Sequence, residues 1–242
     1  MVVRSTGLPR HAVVRSALEH QISTGALRPG HQVPTEPQLM ERFQVSRTTV
    51  RRALRDLEIL GLISRQAGRG TFVREPHVEP RLDRLSGFVE DMEALGLRAS
   101  ATVVLIEREP APNEVTDALG LRSGATAVHI QRVRLANDVP ISFDDSWFPE
   151  SPGERIAKED LEEEPFYSIL ENKYGTALAG ADYVVRAIAA TPQLAAHLQV
   201  AASSPILQLT RLTRQKPDRR PVLFEHLYYA GYRTSYQLTV DR

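Results

Sequence analysis

The chain has 242 residues, long enough for two ordinary domains, and no cysteine, which excludes a disulfide framework, a thiolate metal site and a cysteine nucleophile. Its 30 basic and 30 acidic side chains cancel, but residues 1–75 hold 12 Lys and Arg against 6 Asp and Glu, so residues 76–242 hold 18 against 24. A head of 12 − 6 = +6 on a body of 18 − 24 = −6 predicts two domains, with the head suited to a polyanion.

In the head, Val14, Leu18 and Ile22 recur at helical spacing and Gly25 follows where a left-handed terminal residue belongs, which predicts a first helix. Pro29-Gly30 is a turn. Thr35, with Gln38 three residues on, can form a capping box ahead of a second helix that buries Leu39, Met40 and Phe43. Ser46 is a good N-cap for a third helix, in which Val50, Ala53, Leu54 and Leu57 face inward. Arg47, Thr48, Arg51, Arg52 and Arg55 then face outward, and Gly61 ends the helix. Arginines stacked at i, i+4 and i+8 repel one another in isolation. Phosphates alongside relieve that repulsion, and arginine also grips guanine O6 and N7 bidentately. Leu62-Ile63 and Thr71-Phe72-Val73 read as the strands of a hairpin with Gly68-Arg69-Gly70 at its tip, a wing whose arginine suits the narrow minor groove. A plain solvated helix face is the competing reading of the stripe, and the wing, the capped turn and the local charge weigh against it.

The stretches "GALRPGHQVPTEPQL", "FQVSRTTVRRALRDLEILGLI" and "GRGTFV" resemble the winged-helix signature of the GntR family of bacterial transcription regulators over residues 10–75. By position, the resemblance implies base or phosphate contacts from Arg47, Thr48, Thr49 and Arg51, with Arg52 beside them, Thr35 at the start of the second helix, and minor-groove contact from Gly68, Arg69 and Gly70. Pro37 stands where the family often has arginine, so operator preference does not carry over.

After Val73 the stretch "REPHVEPRLDR" lacks periodicity, and residues 76–85 read as a linker to a body over 86–242. Ser86 is a candidate cap for a helix carrying Phe88, Met92 and Leu95 and ending at Gly96; residues 99–109 are β-prone, 166–174 helical, and the last third mainly strand. "KEDLEEE" at 158–164 reads as a solvated helix end. The stretches beginning "APNEVTDALG" and "TPQLAAHLQV" share one plan of helix, arginine-bearing strand, turn, proline and strand, pairing Arg132 with Arg211, Pro140 with Pro221 and Asp144 with Glu225. This predicts a duplication with a cleft between its halves. Val128, Ile130, Arg132 and Arg134 share one strand face, and Leu223, Glu225, Leu227 and Tyr229 share another. Buried cations need partners. Either a ligand anion supplies them, or Asp144 and Glu225 do so as structural ion pairs. Asp144, among Ser142, Ser146 and Phe148, is expected to face solvent.

"LSGFVEDMEALGL", "RVRLANDVPISFDDSWF", "FYSILENKYG" and "PVLFEHLYYAGYR" resemble the UTRA effector-binding domain of the HutC branch of the same family. The resemblance implies an α+β protein, a winged helix-turn-helix followed by a mixed domain similar to chorismate lyase, which dimerises and binds a small anion without turning it over. It implies that Arg132 and Arg134 hold the anion together with Ser86 and Gly87, and that Asp144, Tyr167, Glu225 and Tyr229 meet the rest of the effector. Leu223 stands where sugar-phosphate binders often carry glutamate, and Glu225 on the same face is the candidate replacement.

The alternative, an enzyme on a small anion with a DNA-binding appendage, finds no nucleophile elbow, triad order or phosphate loop, and the seven histidines are too scattered for a local metal pair. No cofactor or metal is expected. Without an export core or a ~20-residue apolar run, the chain is expected to be cytoplasmic, and to act as a homodimeric repressor on double-stranded, pseudo-palindromic operator DNA.

Overall fold

In the computed structural model, which describes residues 9–23, 26–66, 68–74, 77–79 and 85–237, the spacing of Val14, Leu18 and Ile22 forms the buried stripe of α1 (Arg10–Ser23). Gly25 lies outside the described residues. The chain divides into two units, residues 1–76 and 77–242. In the first, Gln38 Oε1 accepts from both the Thr35 backbone N–H (2.8 Å) and the Thr35 hydroxyl (3.0 Å), starting α2 (Glu36–Phe43). Ser46 Oγ accepts from the Thr49 N–H at 3.3 Å and starts α3 (Arg47–Ile59). Val50, Ala53, Leu54 and Leu57 of α3 pack with Val14, Leu18 and Leu39 in one apolar cluster. Gly61, at φ 72°, turns the chain into β1 (Ile63–Gln66), paired antiparallel with β2 (Gly70–Val73). The wing has a bridging segment that the sequence does not show. Residues 31–33 join β2 through Val33 N–H to Thr71 O (2.8 Å) and Val73 N–H to His31 O (2.9 Å).

The second unit is built on one antiparallel sheet. Its elements are α4 (Phe88–Ala94), β3 (Ala99–Pro110), α5 (Asn113–Leu119), β4 (Thr126–Ala136), β5 (Val139–Pro149), α6 (Glu150–Ile156), α7 (Phe166–Ser168), β6 (Leu178–Ala189), α8 (Pro192–Leu198), β7 (Pro205–Gln215) and β8 (Pro221–Ala230). Residues Ile169–Lys173 continue α7 as a π-helical turn. The strand order β3-β4-β5-β8-β7-β6 places β3-α5-β4-β5 and β6-α8-β7-β8 as two halves meeting at the β5–β8 seam. The echo in the sequence is therefore an echo in register: Arg132 lies opposite Asp144, and Arg211 opposite Glu225. Because side chains alternate along a strand, one sheet face carries Val133, Phe143, Trp147 and Phe224 against α5 and α8. The other carries Val128, Ile130 and Leu227 beneath α4, α6 and α7.

Four details depart from the sequence reading. Asp144 is not on a solvent face, since Ser142, Ser146 and Phe148 beside it are fully buried under the second helical layer. Gly87, not Ser86, occupies the N-cap of α4, and the Ser86 hydroxyl donates instead to Asp91 at 2.7 Å. Residues 158–164 form turns after α6, with Leu161 in the core and Glu159 and Glu164 gripping Lys173. Within the stretch read as a linker, Val78 is fully buried and bridges Thr234, its N–H bonding to Arg233 O at 2.8 Å.

Candidate functional site

Two surfaces gather the residues singled out above. On the first unit, Arg47, Thr48, Arg51, Arg52 and Arg55 project from the exposed side of α3, opposite the four buried apolar residues that fix its orientation. Thr49 is half-buried, its hydroxyl 2.9 Å from Ser46 Oγ, and Thr35 is exposed at the start of α2. Arg47 and Arg51 are 66% and 59% exposed at the side chain, and their Nε atoms lie 3.9 and 3.8 Å from the two carboxylate oxygens of Glu36. At the wing tip Gly68 and Gly70 adopt φ 71° and 120°, and Arg69 between them is exposed. A side chain on Gly70 would also strike the Gln32 amide, whose nitrogen bonds to the Arg69 carbonyl at 3.3 Å. The glycine thus lets the segment at residues 31–33 brace the tip.

On the second unit, Ser86, Gly87, Phe88 and Asp91 form one wall of a cleft, Phe166 and Tyr167 another, and Arg132, Arg134, Asp144, Arg211 and Tyr229 line the sheet side. The cleft encloses about 580 Å³ of empty space, part of it at its open mouth. Arg132 lies with its guanidinium 3.5 Å from the Phe166 ring centre and donates to Leu161 O at 3.2 Å. Arg134 lies 4.5 Å over Phe88, with Nη1 3.9 Å from Asp144 Oδ2, beyond hydrogen-bond length. The Nε atoms of both are buried without a hydrogen-bond partner. Burial, then repulsion from Arg134, pushes the Arg132 guanidinium down to about 9, against the pull of Asp144 and Glu225. Burial likewise lowers Arg134.

Arg211 is the contrast. Its Nε and Nη2 both reach Glu225 Oε2 at 2.7 Å, and although burial opposes its charge, Glu225 together with Tyr167, Tyr183 and Tyr229 outweighs burial and holds it well above the ordinary arginine value. Glu225, fully buried, also accepts from the Ser146 hydroxyl at 3.2 Å. Asp144 accepts from Ser142 at 2.7 Å, and the Tyr167 hydroxyl, whose ionisation burial suppresses, is 3.0 Å from Thr213. Of the three cleft arginines, Arg211 alone has a carboxylate within hydrogen-bond distance among the described residues.

Seven of the eight effector candidates, Ser86, Gly87, Arg132, Arg134, Asp144, Tyr167 and Tyr229, line this one cleft. Glu225 does not, because it sits behind Arg211. Leu223, on the same strand, is fully buried in the core, so neither residue offers the cleft a carboxylate from that position. Sequence reasoning missed Arg211 as a cleft residue although its correspondence with Arg132 was visible, and missed Phe88 and Phe166, which read as ordinary apolar helix positions. Among the described residues no cluster of carboxylates and histidines could hold a metal ion, and no helix is long and apolar enough to cross a membrane.

Comparison with known proteins accounts for both surfaces. Residues 11–73 match the gntR family of bacterial regulatory proteins, and residues 94–235 match the UTRA domain. The chain is 31% identical to the transcriptional repressor NagR of Bacillus subtilis strain 168, covering 99% of this chain and 98% of that protein. It is 32% identical to the histidine utilization repressor of Pseudomonas putida, covering 93% of this chain and 89% of that one. Among solved structures, PhnF from Mycobacterium smegmatis is similar with a TM-score of 0.66 at 26% identity, covering 94% of this chain and 99% of that chain. Both of the first two are named as repressors. The chain belongs to the gntR family of bacterial regulatory proteins, in its HutC branch, and is a DNA-binding transcription regulator with a UTRA domain.

Proposed function

We propose that the protein is a repressor that leaves its operator when a small anionic effector, a phosphorylated sugar or another phosphate or carboxylate metabolite, enters the cleft of the UTRA domain. The observation that carries the effector's charge is the pair of buried, unpartnered Nε atoms on Arg132 and Arg134. Burying such donors without acceptors costs free energy, and an anion supplies charge-assisted partners to both at once. Phe88 and Phe166 stack on the same guanidiniums and fix their planes, so the donors are aimed before a ligand arrives. Ser86, Gly87, Asp144, Tyr167 and Tyr229 complete the contacts, with Glu225 acting through Arg211.

On DNA, Arg47 and Arg51 read bases, Thr35, Thr48, Thr49 and Arg52 contact bases or the backbone, and Gly68-Arg69-Gly70 enters the minor groove. A single small head makes few contacts, so tight specific binding calls for a homodimer on a pseudo-palindromic site. The head is taken as residues 1–75 and the effector domain as 86–242, with the protein working in the cytoplasm. The test is a thermal-shift screen of the full chain against phosphorylated sugars, phosphonates and small carboxylates, because a ligand of the native state raises stability by mass action. A hit that also releases the protein from DNA and is recovered unchanged supports the reading; a hit that is consumed points to catalysis instead.

A further inference from the structure

Glu36 is placed where the electrostatics of the head would least want a carboxylate. It is the first residue of α2, on the side that carries the exposed stripe of α3, where a duplex would bring its phosphates. Its contribution to affinity for DNA is unfavourable through space. In the first turn of α2 its charge suits the helix dipole, but that is satisfied by any orientation of the side chain and calls for no contact with α3. The geometry of its contacts offers another reason for its presence. Each carboxylate oxygen faces a different arginine, Oε2 toward Arg47 and Oε1 toward Arg51, and in both cases the atom approached is Nε. At 3.8–3.9 Å these are ion-pair approaches, longer than hydrogen bonds, and a small rotation that brings each Nε onto the carboxylate leaves the terminal fork, Nη1 and Nη2, directed away from it. That fork is the part that matches guanine O6 and N7.

We propose that Glu36 is a positioning residue for base readout, a carboxylate that sets the planes of Arg47 and Arg51 together so that both forks meet base edges instead of phosphates. This rests on the recognition-helix reading above and adds to it a specificity role for a residue of the preceding helix. An unheld arginine is a long, rotamer-rich side chain that satisfies itself on any phosphate. A held one discriminates, at the expense of general affinity. Pro37 follows Glu36 directly and fixes the backbone just after the carboxylate, in a helix start where its missing N–H costs no hydrogen bond.

The experiment uses the full-length protein and a duplex selected by it from a random pool. Affinities of the parent, Glu36→Gln and Glu36→Asp are measured on the selected duplex, on the same duplex with individual guanines replaced, and on unrelated DNA, after circular dichroism has shown that each variant is folded. Glu36→Gln is expected to bind unrelated DNA more tightly while its preference for the guanine-bearing duplex falls about tenfold, the worth of weakening one bidentate contact. Glu36→Asp separates position from charge: it keeps the carboxylate but withdraws it by one methylene, and is expected to lose discrimination as well. Discrimination retained by Glu36→Asp and lost by Glu36→Gln would show that charge alone matters and would overturn the positioning role, as would unchanged discrimination in both. Arg47→Ala and Arg51→Ala are run alongside. If these leave discrimination intact, the recognition-helix reading itself is wrong, a result distinct from the failure of Glu36 alone.

Discussion

Arg134 is the side chain at which the two readings of the cleft part company. Had it been the essential partner of Asp144, its loss would leave a buried carboxylate uncompensated, at about 3–5 kcal/mol. The structure weakens that expectation, because Arg134 stands 3.9 Å from Asp144, which is held at 2.7 Å by Ser142, while Glu225 is held by Arg211. Removing Arg134 also relieves the repulsion that depresses Arg132. Arg134→Gln is therefore expected to change stability by no more than about 1 kcal/mol, to weaken effector binding by about 2 kcal/mol or more, and to stay on operator DNA at effector levels that release the parent. Denaturation followed through Trp147, the single tryptophan, checks the first part and ligand titration the second; a loss of several kcal/mol in stability with normal binding would move the anion site elsewhere. On the opposite sheet face, His129 stacks on Trp147 at 4.0 Å between Glu109, 2.7 Å from Nδ1, and Asp145. Burial opposes its protonation, but the hydrogen bonds and charges of Asp145 and Glu109 outweigh burial and raise it above 6.5. A raised folded value means that the stability it contributes is fully present below pH 6.5 and is lost as pH rises through the folded value. Unfolding midpoints should therefore fall as pH rises above about 6.5, and His129→Gln should flatten that part of the profile.

Among the elements, α3 and α6 give the sharpest expectations. If the stripe of α3 divides into base readers and phosphate contacts, Arg47→Ala should cost about 1–3 kcal/mol on a selected operator and relax discrimination, whereas Arg52→Ala should weaken all DNA alike and lower the salt slope by about one. Equal losses on operator and unrelated DNA for both variants would remove the base-reading assignment. Helix α6 lies so close to the sheet that a Cβ on Gly153 would stand 2.5 Å from the Val128 Cβ and 3.0 Å from that of Phe148. Gly153→Ala should cost about 1–3 kcal/mol by overpacking, read in denaturant unfolding. The head was legible because each of its elements is short, capped and locally patterned: Ser46 and the spacing of Val50, Ala53, Leu54 and Leu57 dictate α3 with no help from distant residues. Parity likewise found the buried arginines, since Arg132 and Arg134 continue the row of Val128 and Ile130. What stayed hidden depends on pairing between distant segments. Nothing local says that residues 31–33 join β2, that Asp144 is roofed by α7, or that Glu225 spends its closest contacts on Arg211 across the strand pair and so leaves the cleft wall. Aromatic residues add a further ambiguity, because Phe88 and Phe166 cover apolar neighbours and cationic guanidiniums from the same positions.

At the scale of the whole molecule, a transcription regulator with a UTRA domain is useful only if occupancy of one surface alters affinity at the other, and thermodynamics constrains the form of that coupling. The charge separation already assigns the surfaces: 12 basic against 6 acidic side chains in residues 1–75 and 18 against 24 in the remainder place the affinity for a polyanion in the head. The body can bind an anion only where burial and local geometry override its net charge, as we propose for Arg132 and Arg134. An effector can shift DNA binding only by the difference in its affinity for the DNA-competent and DNA-incompetent states, however tightly it binds. If effector lowers operator affinity by a given factor, operator must lower effector affinity by the same factor, typically about 5 to 150-fold. Calorimetric titration of the thermal-shift hit into the full chain, alone and saturated with operator duplex, is expected to show this reciprocal weakening, matched by the loss of operator affinity measured at saturating effector. Arg134→Gln should weaken the effector's binding in both titrations while leaving DNA binding intact, and Arg47→Ala, titrated at the operator concentration that just saturates the parent, should show a reduced influence of operator while its DNA-free effector affinity is unchanged. Equal effector affinity with and without operator in the parent would mean that the cleft does not communicate with the head, and that the second domain contributes assembly alone.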